Sequence, residues 1–227
     1  MRSKIAIGSV LAFVLVAGLA LAAKPRNGGF ESGDFTGWKV TDPGGGNWFV
    51  YEGTDITGGA PLRGLGPGGD FYEPPRGRYA AAAYQGGPGL NILHRRLRLK
   101  ADAVNKLGFF LGYKNSQERF YTPDNFDYNG GMAPPRGGGG AEPNQQFRID
   151  LLKAKAPVDT LKDKHILATL YRTRNNDQRR SPYKKLSFNL TEMGLRGRIQ
   201  FRVAEVDNQG PLSVGIDNVR LKSRPAG

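Results

Sequence analysis

The ordered stretches of this chain are short, alternate apolar with polar residues at a period of two, and are punctuated by glycine and proline. In "LNILHRRLRLKA", Leu97 and Leu99 fall on one side and Arg96, Arg98 and Lys100 on the other. "NQQFRIDLLKA" repeats the pattern, with Phe147, Ile149 and Leu151 inward and Arg148 and Asp150 outward. "KLGFFLGYKN", "HILATLYRTR", "KKLSFNLT", "GRIQFRVAEVDN" and "LSVGIDNVRLKS" continue in the same way. A period of two puts alternate side chains on opposite faces of a strand, and no window carries the 3.6-residue period and caps of a long amphipathic helix. Regularly spaced short strands with turn signals predict an all-β sandwich. Two stretches do not fit strands, Thr41 to Arg78 and Lys114 to Asn144. They are expected to be long, glycine- and proline-rich loops. "RGGGG", Arg136 to Gly140, is expected to be surface loop, because no helix start follows it to make a phosphate cradle.

The amino terminus has the form of an export signal. Arg2 and Lys4 precede the apolar run Ile5 to Leu21, and Ala20-Leu21-Ala22 offers small residues at a peptidase site. Cleavage after Ala22 leaves residues 23–227 as one domain; a retained membrane anchor is the alternative, since the run approaches spanning length. No cysteine occurs, so neither a lipid anchor on cysteine, a disulfide nor a thiolate metal site is available to a secreted chain. "RLKSRPAG" at the other end adds no hydrophobic tail, and no membrane insertion is expected after cleavage.

The formal charge is +13. The leader carries two of those positive charges and no negative one, which leaves +11 and a surface suited to anionic partners. Nucleic acid has only this net charge in its favour, since aromatic and basic residues are not interleaved in a known motif.

"NGGFESGDFTGW", from Asn27, and "GIDNVRL", Gly215 to Leu221, together resemble the ends of the galactose-binding-like jelly roll found in secreted carbohydrate-binding modules of families four, nine and twenty-two and in related exported bacterial domains. "PPRGRYAAAAYQ", Pro74 to Gln85, is similar to the Gly-x-Tyr-Ala strand of that fold. The resemblance implies a first strand near Asn27 to Glu31 lying beside the last, and a structural calcium ion where they meet. Glu31 and Asp217 are the matching carboxylates, of the hard-oxygen type calcium takes. The alternative is that Asp217 and Asn218 only bond neighbouring backbone while Glu31 is solvated. Phe30 and Trp38 are expected in the core.

Recognisable catalytic machinery is missing from the sequence. His94 and His165 belong to no metal spacing, no nucleophile elbow or Walker loop occurs, and Glu118, Asp124 and Asp127 are acids in a polar loop. The expected function is therefore that of a secreted, non-catalytic module for polysaccharide, an acidic one if Arg96, Arg98, Arg198 and Arg202 line a common groove. Aromatics of the long loops, Trp48, Tyr51, Phe71, Tyr72, Tyr121, Phe126 and Tyr128, would offer flat surfaces to sugar rings, some of them being core. The alternative is a structural or interaction protein of the envelope or matrix without a small ligand.

Overall fold

The computed structural model describes residues 27–42, 46–56, 71–85, 88–128 and 142–226. The export signal and "RGGGG" lie outside them. Among the described residues, ten strands form two five-stranded sheets. In chain order they are β1 (Lys39–Thr41), β2 (Gly46–Tyr51), β3 (Ala80–Gln85), β4 (Gly89–Arg98), β5 (Ala103–Asn115), β6 (Gln145–Lys153), β7 (Ile166–Arg172), β8 (Arg180–Asn189), β9 (Arg198–Asp207) and β10 (Leu212–Pro225). Sheet A has the order β1-β4-β9-β6-β7 and sheet B the order β2-β3-β10-β5-β8, with every pairing antiparallel. This is the predicted sandwich. Among the described residues no helix is long and apolar enough to cross a membrane.

The alternation in the sequence is what closes the two sheets on each other. Leu93, Leu97, Phe147, Ile149, Leu151, Phe201 and Val203 of sheet A meet Ala81, Ala83, Leu107, Phe109, Leu111, Val214 and Ile216 of sheet B in one core. Phe30 and Trp38 join it as expected, with rings stacked 5.2 Å apart. Small alanines in β3 let Trp48 of neighbouring β2 fill the space beside them.

Two expectations change. Thr41 to Arg78 is not all loop, because "NWFVY" forms most of β2; its β-branched and aromatic run, following a glycine cluster, is a strand signal in its own right. Asn27 to Phe30 is a turn, with Asn27 at φ 51° and Phe30 at φ 57°, and not a strand. It still docks on the last strand: β3 ends its pairing at Ile216↔Ala81, and just beyond that point the Val219 N–H donates to Gly28 O at 2.7 Å. The turn thus takes over the edge that β3 leaves.

Candidate functional site

Strand β10 changes register between Asp217 and Arg220, and Asn218 within the bulge sits at φ 53°. Asparagine tolerates this left-handed conformation, and a bulge re-aims the neighbouring side chain. Asp217 is aimed at the opening stretch of the domain. A Cβ on Gly29 would stand 3.6 Å from Asp217 Oδ1 and 3.7 Å from Glu31 Oε1, so the two carboxylates face a shared space across a glycine. Glu31 Oε2 accepts the Arg78 N–H at 3.0 Å, and a side chain on Gly77 would collide with the Glu31 carboxylate. Asp217 Oδ1 accepts the Asn218 N–H. Asp217 Oδ2 is buried and has no hydrogen-bond partner among the described residues. Burial, then the charge of Glu31, push the Asp217 carboxyl up to about 7. An orphaned buried oxygen beside a second carboxylate suits a hard cation.

The basic residues lie on the far side of the molecule, on the outer face of sheet A. The register aligns Lys39, His94, Arg202, Asp150 and Thr169 in one row across all five strands. Arg96 stands opposite Gln200 in the next row but one, and Arg98 opposite Arg198 at the strand ends. Lys39, Arg96, Arg98 and Arg198 are exposed. Among the described residues none of these four forms an ion pair, whereas Arg148, Arg172 and Arg202 each do. Arg98 and Arg198 are like charges directly opposite one another, a destabilising arrangement unless an anion lies between them. Burial, and next the charge of Lys39, hold the His94 imidazole below its ordinary value, so it adds no positive charge at neutral pH.

Three residues expected to meet a ligand are used otherwise. Arg202 is fully buried: its guanidinium pairs with Asp150 and donates to Val158 O at 2.6 Å and Thr160 O at 2.8 Å, under the ring of Phe126. It ties the segment after β6 down over the middle of the sheet. Trp48 packs in the core, facing inward from β2. Tyr51 is buried on the outer face of sheet B, its hydroxyl 2.7 Å from Tyr72 O and 2.9 Å from the Tyr183 hydroxyl. In each case period-two alternation shows that a side chain leaves one face, but not whether a later segment covers that face.

Alternation marks Asp150 only as an outward polar residue. It is fully buried and accepts from Arg148, Arg202 and Thr169. Lys39 joins the basic patch solely through the β1–β4 pairing, which no local pattern announces. Phe71 is buried, while Tyr72, Tyr121, Phe126 and Tyr128 are half-buried. Glu118, Asp124 and Asp127 are exposed, and Asp124 lies 3.2 Å from Arg172. His165 Nδ1 is 2.9 Å from the Thr160 hydroxyl.

No family model matches the chain, and no curated protein does. Solved structures are similar to it in fold. One is a family-61 carbohydrate-binding module in complex with β-1,4-galactotriose, at 13% identity over 88% of this chain and 97% of that one, with a TM-score of 0.48. Another is the K3 adhesin domain of Lys-gingipain from Porphyromonas gingivalis, at 11% identity over 88% of this chain and 99% of that one, also with a TM-score of 0.48. A third is a Stig cyclase from Fischerella in complex with an indole compound, at 20% identity over 91% and 100% of the two chains and a TM-score of 0.43.

Proposed function

We infer that the protein is a secreted, non-catalytic binding module for acidic polysaccharide, which it takes on the outer face of sheet A. The observation that carries this reading is the set of four exposed cations, Lys39, Arg96, Arg98 and Arg198, on three adjacent strands, none of which forms an ion pair among the described residues. Guanidinium groups bind carboxylate and sulfate in bidentate fashion, and Arg98 opposite Arg198 forms a two-pronged clamp for one such group. Gln200 lies beside Arg96 in the same strip, but its amide is already held by Ala156 O at 2.9 Å. Glu31 and Asp217 would hold a structural calcium ion on the outer face of sheet B. The ion would supply positive charge to two carboxylates, fastening the opening turn to β10, and takes no part in sugar binding.

The test is binding of the purified protein to an acidic polysaccharide and to its neutral counterpart, at low and high salt. Arg98→Ser together with Arg198→Ser should weaken binding to the acidic chain at least about tenfold with the melting temperature almost unchanged, since exposed charges contribute little to stability. Equal binding by wild type and variant would remove the patch from consideration. Binding to every polyanion alike, abolished by salt, would reduce it to bare electrostatics.

A further inference from the structure

The outer face of sheet B carries a second set of cations. On β10, Val219 and Leu221 turn into the core, so Arg220, Lys222 and Arg224 project outward at every second position, about 7 Å apart. Register brings Lys222 directly opposite Lys106 of β5, and Phe110 of β5 opposite Lys185 of β8. Leu107, Phe109 and Leu111 of β5 and Leu186 of β8 pack on the core, which puts Lys106 and Lys185 on the same outer surface. All five basic residues are exposed. Among the described residues none of the five forms an ion pair, the cations that do being Arg78, Arg148, Arg172 and Arg202. Arg220 is close enough to Asp217 to oppose the upward shift of its carboxyl, without pairing with it.

Lys106 against Lys222 repeats the arrangement of Arg98 against Arg198: like charges directly across a strand pair, which repel unless an anion lies over them. Between the cations the floor is low. Gly108 stands opposite Arg220 on one side and Ser187 on the other, and among the described residues a Cβ on it would meet the Leu186 carbonyl alone, at 3.5 Å. The result is a trough one strand wide. Lys106 stands at one end of it and the half-buried Phe110 at the other, with the Arg76 guanidinium 5.9 Å from the Phe110 ring centroid. We propose that this trough is a second acidic-polysaccharide site, so that one molecule holds two polymer strands, one on each outer face. Gly108 leaves room for a sugar ring beside the ring of Phe110, and Lys106, Lys222 and Arg220 answer its carboxylate or sulfate. A row of cations at regular spacing along β10 suits a polymer that repeats its charge better than a single small anion. β4 ends at Arg98 and β5 begins at Ala103, so the two basic faces lie at the same end of the sandwich with both sheets between them. The ligand chemistry rests on the polysaccharide reading above, whereas the residues are all different.

Calorimetric titration with a uronic acid tetramer and with a sulfated sugar tetramer, each too short to reach both faces, tests this on cooperatively melting proteins. At least one tetramer should occupy two sites per chain on wild type. Lys106→Ser with Lys222→Ser should leave one site, and so should Gly108→Val, which fills the trough without changing any charge. Arg98→Ser with Arg198→Ser should also leave one. Arg174→Ser with Arg180→Ser removes the same charge near the start of β8, at the far end from Lys106, and should leave both. Two sites retained in either the Lys106→Ser, Lys222→Ser protein or the Gly108→Val protein refutes the proposal. A site lost in the Arg174→Ser, Arg180→Ser protein refutes it too, since net charge alone would then be at work. If wild type takes up neither tetramer, both faces fall. If Arg98→Ser with Arg198→Ser changes nothing while Gly108→Val removes binding, the sheet A reading fails and the trough stands. Attachment of this face to phosphatidylglycerol vesicles with no tetramer bound there would overturn the proposal in favour of a membrane surface.

Discussion

Replacing Asp217 by asparagine separates the effects of proton, cation and carboxylate at one position. The Asp217 carboxyl is held at about 7 against an ordinary 3.8, by burial first and by the charge of Glu31 next. A carboxyl whose folded-state value exceeds its unfolded one binds the proton more tightly in the native protein. Its stability contribution is fully present below about pH 4 and is lost as the pH rises to about 7. Three units at about 1.4 kcal/mol each put that loss at about 4 kcal/mol in metal-free protein. Asparagine imitates the protonated acid and does not titrate. In chelator, the unfolding free energy of wild type minus that of Asp217→Asn should therefore fall by about 4 kcal/mol between about pH 4 and 7 and then level off. The variant becomes the more stable protein at neutral pH.

Calcium should close most of that gap. At about a hundred times its dissociation constant it adds about 2.7 kcal/mol to a protein that binds it only when folded. At the outer site this gain belongs to wild type and is largely missing from the variant. Glu205 and Asp207 are also pushed up by burial, but they are common to both proteins and drop out of the difference. Urea unfolding followed by tryptophan fluorescence, with and without calcium across this pH range, gives the four curves required. A difference in chelator that does not change with pH would show that Asp217 is not a buried carboxyl. A difference that changes with pH but ignores calcium would leave the carboxyl in place and remove the ion.

Arg98→Glu should convert a like-charge cross-strand pair into an opposite-charge one and raise stability by about 0.2–1 kcal/mol at low salt, while abolishing acidic-polysaccharide binding; a calorimetric scan and a binding isotherm on the same sample check both. Asp150→Ala should cost about 3–5 kcal/mol in urea unfolding, because it strands the fully buried Arg202 without its counter-charge. Replacing Asp150 by Leu and Arg202 by Met together should cost less than Asp150→Ala alone; a larger loss would mean that the pair adds net stability. Gly215→Ala should lower the urea midpoint by the equivalent of about 1–3 kcal/mol, since a Cβ there would press on the Phe71 ring and the Tyr183 hydroxyl.

The sandwich was legible because its signal is local. Leu97 and Leu99 against Arg96 and Arg98, or Phe147, Ile149 and Leu151 against their neighbours, specify strand and inward face from adjacent residues alone, and the structure keeps those faces. The "GIDNVRL" segment pointed to Asp217 only through its resemblance to the jelly-roll end signature; the bulge and the positive φ of Asn218 that aim this acid are seen in the structure alone. Even so, alternation misled where later chain returned to cover a strand. Arg202 alternates like Arg98 and was grouped with it, yet one is fully buried and the other exposed, because the residues after β6 descend on the middle of the sheet and not on its end. Glu205 and Asp207 look like ordinary polar strand positions and turn out to face the core side. Sequence by itself determined the all-β class and the strand faces, because these follow from periodicity, whereas the meeting of the two ends of the domain was legible only as what the resemblance to the galactose-binding-like jelly roll implies. Only the tertiary structure decided which charges remain in solvent and which are buried with or without a partner, because burial depends on segments distant in the chain and desolvation depends on what they cover.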